Sequence, residues 1–315
     1  MKARYLQAHH TGLLASRLIE SQKLLSSCTL CPRQCGVDRL AGERGYCRIG
    51  AWAEVASYGP HFGEESVLVG TGGSGTIFFC GCNLLCSFCQ NYAISHREDR
   101  DCQEVESREL AAIMVELQEM GCHNINFVTP SHVVPQILAA LPEAIATGLR
   151  VPLVYNCSGY DQVETLELLD GIIDIYMPDA KFWEPESGRR YAAAVDYPEK
   201  MRAAVGEMQR QAGDLHIGQD GLAERGLLVR HLLMPDGLAE AQAIFNFLAK
   251  EISPHCYVNI MDQYRSCGAL SGRDDTCDRI TPAVYEAAIK AAEEAGLSRQ
   301  DQRDTAALIR RLFSF

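Results

Sequence analysis

Six short apolar runs constrain this chain more than any other feature. They cover residues 76–80, 123–129, 152–157, 172–178, 227–234 and 257–261, and are rich in β-branched and large apolar residues. Runs of this length with little polar interruption fit strands buried on both faces. Between and after them lie segments of helical character at 108–120, 133–147, 161–170, 198–212, 239–251 and 283–295. Ser107 is a candidate N-cap for the first and Gly121 its stop; Thr281-Pro282 opens the last and Gly296 closes it. Strand–helix alternation at this spacing implies an α/β fold with a parallel sheet. An eight-unit barrel takes about 250 residues, so six units over roughly 220 suggest a partial (β/α)6 TIM-like barrel. A doubly wound open sheet is the competing arrangement, and periodicity does not separate the two. In either, chemistry belongs at the C-terminal ends of the strands.

The first run leads directly into Gly81-Cys82-Asn-Leu-Leu-Cys86-Ser-Phe-Cys89, which places three cysteines spaced C-x3-C-x2-C on a first βα loop. A second group, Cys28, Cys31, Cys35 and Cys47, forms C-x2-C-x3-C-x11-C near the N-terminus. The chain has 14 cysteines in 315 residues, too few for a disulfide scaffold. Residues 1–10 lack the apolar core of a secretory signal, and no run approaches the ~20 apolar residues of a membrane span. The expectation is a cytoplasmic protein with no membrane association, in which clustered thiols mean metal or redox chemistry. A formal charge of 29 − 41 = −12 argues against a nucleic-acid partner.

Three thiolates on a four-iron cluster leave one iron open, whereas a structural zinc site wants four ligands. The triplet resembles the C-x3-C-x-aromatic-C signature of the radical S-adenosylmethionine superfamily, with Phe88 at the aromatic position. The resemblance covers about residues 72–265. Within the superfamily the chain is similar to the pyruvate formate-lyase activating enzymes and their uncharacterised relatives with an N-terminal four-cysteine module. The stretches that carry this are Gly75-Thr-Ile-Phe-Phe-Cys-Gly-Cys82, Cys89-Gln-Asn-Tyr-Ala-Ile-Ser95, Val154-Tyr-Asn-Cys-Ser-Gly-Tyr160 and Val258-Asn-Ile-Met-Asp-Gln-Tyr264. The resemblance implies a 4Fe-4S cluster on Cys82, Cys86 and Cys89 that reductively cleaves S-adenosylmethionine. The resulting 5′-deoxyadenosyl radical would abstract hydrogen from a protein, peptide or small-molecule substrate. A flavodoxin- or ferredoxin-type reductant is implied with it.

Cofactor contacts are expected at the other strand ends. Activating enzymes carry Gly-Gly-Glu after the second strand; this chain has Val128-Thr-Pro-Ser-His132, so Thr129, Ser131 or His132 stands where the carboxylate is missing. After the third strand their Asp-Thr-Asn-Gly becomes Asn156-Cys157-Ser158-Gly159, with Asn156 and Ser158 as short polar candidates. Their Asp-x-Lys survives as Asp179-Ala-Lys181, an ammonium suited to the cofactor carboxylate and held by its own aspartate. Arg230, Tyr264 and Arg265 are further candidates for adenosine or an anionic substrate. No residue is singled out as catalytic.

The N-terminal quartet suits one tetrahedral zinc or a second iron–sulfur cluster, and spacing leaves the choice open. Its neighbours Arg33, Arg39, Arg44 and Arg48 either face a partner or are solvated. Cys80, Cys102, Cys122 and Cys256 read as ordinary thiols, Cys157 faces the expected site, and Cys267 and Cys277 either line its mouth or sit in loops. Segment 11–26 reads as a helix capped by Thr11, while 51–75 holds no long periodic segment. The expected organisation is an N-terminal helix and cysteine module at 1–60, a barrel at 61–281 and a helical segment at 282–315 packed on it. The alternative function is an iron–sulfur electron carrier or metal-stabilised binding module that does not cleave S-adenosylmethionine.

Overall fold

The computed structural model describes residues 3–96, 101–270 and 279–301. Cys277, and the part of the C-terminal segment beyond residue 301, lie outside them.

All six expected strands form. They are β2 (Ser74–Phe79), β4 (Ile125–Val128), β5 (Leu153–Cys157), β6 (Ile175–Pro178), β8 (Ala223–Leu232) and β9 (Tyr257–Met261). Each is parallel to its neighbour, and they lie side by side in chain order. A doubly wound sheet would reverse direction at a switch point; none occurs here. Strand β1 (Ala53–His61) adds antiparallel to the outer edge of β2 and carries β3 (Gln103–Val105) beyond it. Strand β7 (His216–Ile217) pairs antiparallel with β8, and β10 (Arg299–Gln300) extends the far edge at β9. Strands β2 and β9 do not pair, so the barrel is open between them.

A lumen distinguishes this sheet from a flat one. Val154, Ile175, Met177, Leu228 and Tyr257 converge from four strands onto Val67 and Leu68 of the short helix α3 (Ser66–Val69) in the β1–β2 connection. Burying Val67 and Leu68 contributes about 1.5–3 kcal/mol each. The plug is also pinned by polar contacts. Asn124 Nδ2 donates to the Leu68 carbonyl at 2.8 Å, and Asn259 Nδ2 donates to Glu65 at 2.7 Å. Segment 51–75, expected to hold no long regular element, therefore supplies both an antiparallel strand and the floor of the lumen.

The larger core lies between the sheet and the helices. Helices α5 (Ser107–Glu119), α6 (Val134–Ala146), α7 (Val163–Glu167), α9 (Tyr197–Ala212), α10 (Leu238–Phe247) and α11 (Pro282–Ala295) fall in the expected gaps. The short α4 (Tyr92–Ser95) and α8 (Pro185–Ala192) were not anticipated. Thr281 caps α11 as expected, accepting from Val284 N. Helix α5 is instead capped one residue earlier, where Glu106 and Glu109 form a reciprocal capping box. The single N-terminal helix is also corrected. It is split into α1 (Arg4–Thr11) and α2 (Leu13–Lys23) by Gly12 at φ +82°, and Thr11 closes the first with its hydroxyl on the Gln7 carbonyl instead of opening the second.

Two more expectations change. Cys80 and Cys102 are not ordinary thiols but are joined by a disulfide, linking the end of β2 to the residue before β3. The arginines of the N-terminal module all bind this chain, Arg39 from a buried position and Arg44 and Arg48 from exposed ones. Arg39 is fully buried and donates to the carbonyls of Gly50 and His132, each at 2.8 Å. Arg44 pairs with buried Glu54 at 2.7 Å, and Arg48 donates to the His96 carbonyl.

Candidate functional site

At the C-terminal ends of the parallel strands lies a cavity of about 410 Å³, within the size range of small-ligand sites. All three cysteines of the triplet line it, together with Thr129, Asn156, Cys157, Ser158, Asp179, Lys181 and Arg230. The loop that presents the triplet turns at Gly81, at φ +74°. A Cβ there would stand 2.4 Å from the Cys47 carbonyl oxygen, so only glycine fits. Asn83 is fully buried and donates from Nδ2 to the Tyr160 carbonyl at 2.5 Å, which fixes the loop after Cys82. The ring of Phe88, buried beside Cys89, packs against Phe182, Tyr191 and Tyr264.

The surroundings of the three sulfurs favour the thiolate form once a cation is present. Burial pushes the Cys82 thiol up to about 11, and the N–H groups of Leu85 and Leu84 pull against that. The Leu84 N–H stands 3.3 Å from the Cys82 sulfur, and the Ser95 hydroxyl is 3.3 Å from that of Cys89. Burial also raises Cys86, opposed by the Lys181 ammonium. Three soft donors supported by N–H groups and a nearby cation fit an iron–sulfur cluster with one iron free for another ligand.

Opposite the triplet, charged groups form a buried line. Lys181 Nζ lies 2.5 Å from Asp179 Oδ2, while Asp179 Oδ1 accepts from Arg230 Nε at 2.7 Å. Arg230 Nη2 also donates to Asn156 Oδ1 at 2.6 Å. Burial alone would neutralise Asp179, but Arg230 and Lys181 overcome it and hold the carboxyl below its ordinary range. Burial likewise opposes the Lys181 charge, and Asp179 outweighs it, leaving the ammonium above its usual value. The pair is thus a fixed, desolvated ion pair rather than a solvated surface contact. Tyr197 holds its backbone, its one hydroxyl proton shared between the Asp179 and Ser158 carbonyls, each at 2.8 Å, while its oxygen accepts from Lys181 N at 2.9 Å.

Ser131 and His132 do not line the cavity. Ser131 is buried facing Tyr155 and Asp161, and the His132 Nε2–H donates to the Cys80 carbonyl at 2.8 Å. Burial lowers His132 to about 3, so the ring is neutral. Of the outlying candidates, Arg230 reaches the cavity, Tyr264 packs on Phe88, and Arg265 is not among the lining residues. Sequence reasoning missed His61, Glu64 and Glu65. The end of β1 brings His61 to the cavity and the plug brings Glu64 and Glu65, all from a segment without periodic signal. Glu64 pairs with His61 Nδ1 at 3.2 Å and lies 3.9 Å from Arg230. Burial raises Glu64, but His61 and Arg230 outweigh it and keep it ionised; Glu65, deeper, is pushed up by burial.

Among the described residues, no three His, Cys, Asp or Glu side chains are gathered as one metal ion would require. No helix among them is long and apolar enough to cross a membrane.

A family model of the radical SAM superfamily matches residues 76–212. "Uncharacterized protein MJ0674" of Methanocaldococcus jannaschii is 31% identical over 292 residues, covering 91% of this chain and 80% of that protein. Among solved structures, "Native anSMEcpe with bound AdoMet" superposes with a TM-score of 0.47 at 8% identity, over 74% of this chain and 64% of that one. Methylornithine synthase (PylB) superposes with a TM-score of 0.42 at 13% identity, over 69% and 60%. The chain therefore spans less than two thirds of either structure.

Proposed function

The chain belongs to the radical SAM superfamily, and on that premise we propose that it is an oxidoreductase of the activating-enzyme kind, abstracting hydrogen from a protein, peptide or small-molecule substrate. Superfamily membership implies a 4Fe-4S cluster and S-adenosylmethionine. The observation that carries the proposal is the convergence of Cys82, Cys86 and Cys89 on one cavity with the Asp179–Lys181 pair. When bound, cluster and cofactor supply one-electron cleavage of the sulfonium and hydrogen abstraction.

The residues of the chain hold and orient. Cys82, Cys86 and Cys89 would ligate three irons. Lys181, aimed by Asp179, stands close enough to Cys86 to influence its charge and presents an ammonium to a carboxylate bound beside the triplet. Thr129, Asn156 and Ser158 offer short polar groups to a ribose or carboxylate. Thr129 lies at φ +60°, so the backbone turns just past the end of β4. Leu84, Val128, Leu232 and Met261 line the cavity between these groups and keep water from a reactive species. Arg230, tied to Asp179 and Asn156, links this end to Glu64 on the plug, which belongs to the substrate end of the cavity in this reading.

Anaerobic reconstitution with iron and sulfide, followed by reduction with S-adenosylmethionine present, should release 5′-deoxyadenosine. Cys86→Ala should abolish it. A fully loaded protein that forms none, and whose reduced cluster spectrum ignores the cofactor, would instead be an electron carrier.

A further inference from the structure

The N-terminal quartet lies in a stretch that regular structure does not explain. No helix or strand occurs between Lys23 and Ala53. The hydrophobic cluster of its own is built from Leu25, Cys28 and Leu30, with Leu24 and Val37 at its edge. So small a core does not hold some 25 residues of irregular chain in one arrangement, and modules of this kind draw folding energy from a bound metal. Backbone bonds fold the cysteine loop on itself, Gly36 N–H donating to the Cys28 carbonyl and Gln34 N–H to the Cys31 carbonyl, each at 2.9 Å, and Cys31 and Cys47 each feel the charges of Cys28 and Cys35.

The sulfurs are also met by backbone donors. The Arg33 N–H points at Cys31, the Ile49 N–H at Cys47, and the Tyr46 N–H stands 3.3 Å from Cys35. At Cys31 and Cys47 the donor lies two residues beyond the cysteine, as Leu84 does at Cys82. Backbone N–H groups aimed at sulfur stabilise a thiolate and tune a metal bound to it.

The quartet touches the triplet directly. The Cys47 carbonyl and the Ile49 side chain press on Gly81, the residue before Cys82. Arg33, between Cys31 and Cys35, donates to the Asn83 carbonyl at 3.0 Å and to those of Ala192 and Ala193 at 2.8 and 2.7 Å. Its guanidinium lies 3.9 Å from the ring centroid of Tyr46, which itself feels the charges of Cys82 and Cys86. Cys35 is exposed, whereas Cys28, Cys31 and Cys47 are buried.

We propose that Cys28, Cys31, Cys35 and Cys47 hold a second iron–sulfur cluster that passes electrons to the triplet. One electron enters at the Cys35 side from a low-potential iron–sulfur or flavin carrier, which is oxidised. It leaves at the Cys47 side to reduce the cluster on Cys82, Cys86 and Cys89. A tetrahedral zinc, with Zn–S near 2.3 Å, would draw its sulfurs to about 3.8 Å of one another. Zinc also has no redox state with which to carry an electron, so the contact with the triplet loop favours a cluster. The relay role rests on the function proposed above; the metal is tested independently of it.

Iron and sulfide analysis with EPR of the reduced, reconstituted protein tests both. The wild type should bind about eight irons, four at each site. Cys82→Ala/Cys86→Ala/Cys89→Ala should keep about four, with a signal that S-adenosylmethionine leaves unchanged. Cys31→Ala/Cys47→Ala should keep a signal that responds to S-adenosylmethionine, while its reduction by a one-electron flavin protein slows at least tenfold. An iron-free triplet variant, with zinc or no metal in the quartet, overturns the assignment; an unchanged reduction rate in the quartet variant overturns the relay. If the quartet variant does not fold, the triplet variant still decides the metal. A wild type with two clusters and no response to S-adenosylmethionine breaks the function proposed above instead, so the two failures are distinguishable.

Discussion

The two cysteine sites touch yet are built on opposite principles. The triplet hangs from the end of β2, and its loop is held by Asn83, Phe88 and the neighbouring strand ends. The barrel would keep that loop in place without a ligand. The quartet has little scaffold of its own. It depends on arginines reaching into the barrel and, in the proposal above, on its metal. A site on a rigid fold can lose its ligand and stay ordered; a site that organises its own loop cannot.

That contrast can be broken by single substitutions. The largest effect on activity is expected from Cys86→Ala, with 5′-deoxyadenosine formation lost while thermal unfolding stays within a few degrees of wild type. Cys31→Ala should show the reverse emphasis, lowering the unfolding temperature and making residues 26–51 prone to proteolysis. Equal destabilisation by both would mean that the triplet loop is no better scaffolded than the quartet.

Gly81→Ala strikes both sites together. A methyl 2.4 Å from the Cys47 carbonyl, at φ +74°, cannot be relieved by a rotamer change. A loss of at least about 3 kcal/mol in denaturant unfolding is expected, with reduced iron content. Arg33→Ala removes the donor to Asn83, Ala192 and Ala193 and should cost about 2–3 kcal/mol, largely at the joint between the sites. Hydrogen exchange should then rise in the module and not at β5.

Acid should loosen the same joint. His132 lies beneath it, with Nε2 on Cys80, its carbonyl on Arg39 and Nδ1 buried without a partner. The ring titrates at about 3 in the fold against 6.5 when unfolded. Between those values the unfolded chain binds a proton that the folded chain refuses. Stability from this group is therefore complete above pH 6.5 and is lost as pH falls towards 3, by at most about 5 kcal/mol. Urea unfolding of His132→Asn should show a flatter dependence over that window than wild type. The smallest effect is expected far from either site, at Thr281→Ala, where losing the cap of α11 costs about 1 kcal/mol and leaves iron content unchanged.

Much of the architecture was legible because its signals are local. Each barrel strand is a short apolar run, and hydrophobic periodicity survives whatever the partner strand is. The triplet was legible for the same reason, since its three ligands lie within eight residues of one another. Strand β1 was hidden because it is buried only over its first three residues, where β3 pairs with it, and has Gly59 and Pro60 near its end. Helix α3 is four residues long, too short for any period. The barrel partners of Arg33 and Arg39 lie 50 to 160 positions away, and the Cys80–Cys102 link spans 22. Long-range pairings of that kind leave no mark on either partner's neighbourhood.

By itself, then, the chain's order of residues determined the six strand–helix units, the open-iron spacing of the triplet and the closed set of the quartet. These depend on side-chain period and on ligand separation along the backbone, both properties of nearby residues. Tertiary structure alone decided that the sheet curls into an open barrel in chain order, that residues 64–69 plug its lumen, and that Lys181, Asp179, Arg230 and Glu64 form one buried line beside the triplet. It alone also set the quartet against Gly81. The physical reason is that curvature, burial and ion pairing are settled by which distant surfaces meet, and chain order does not contain that until the barrel has formed.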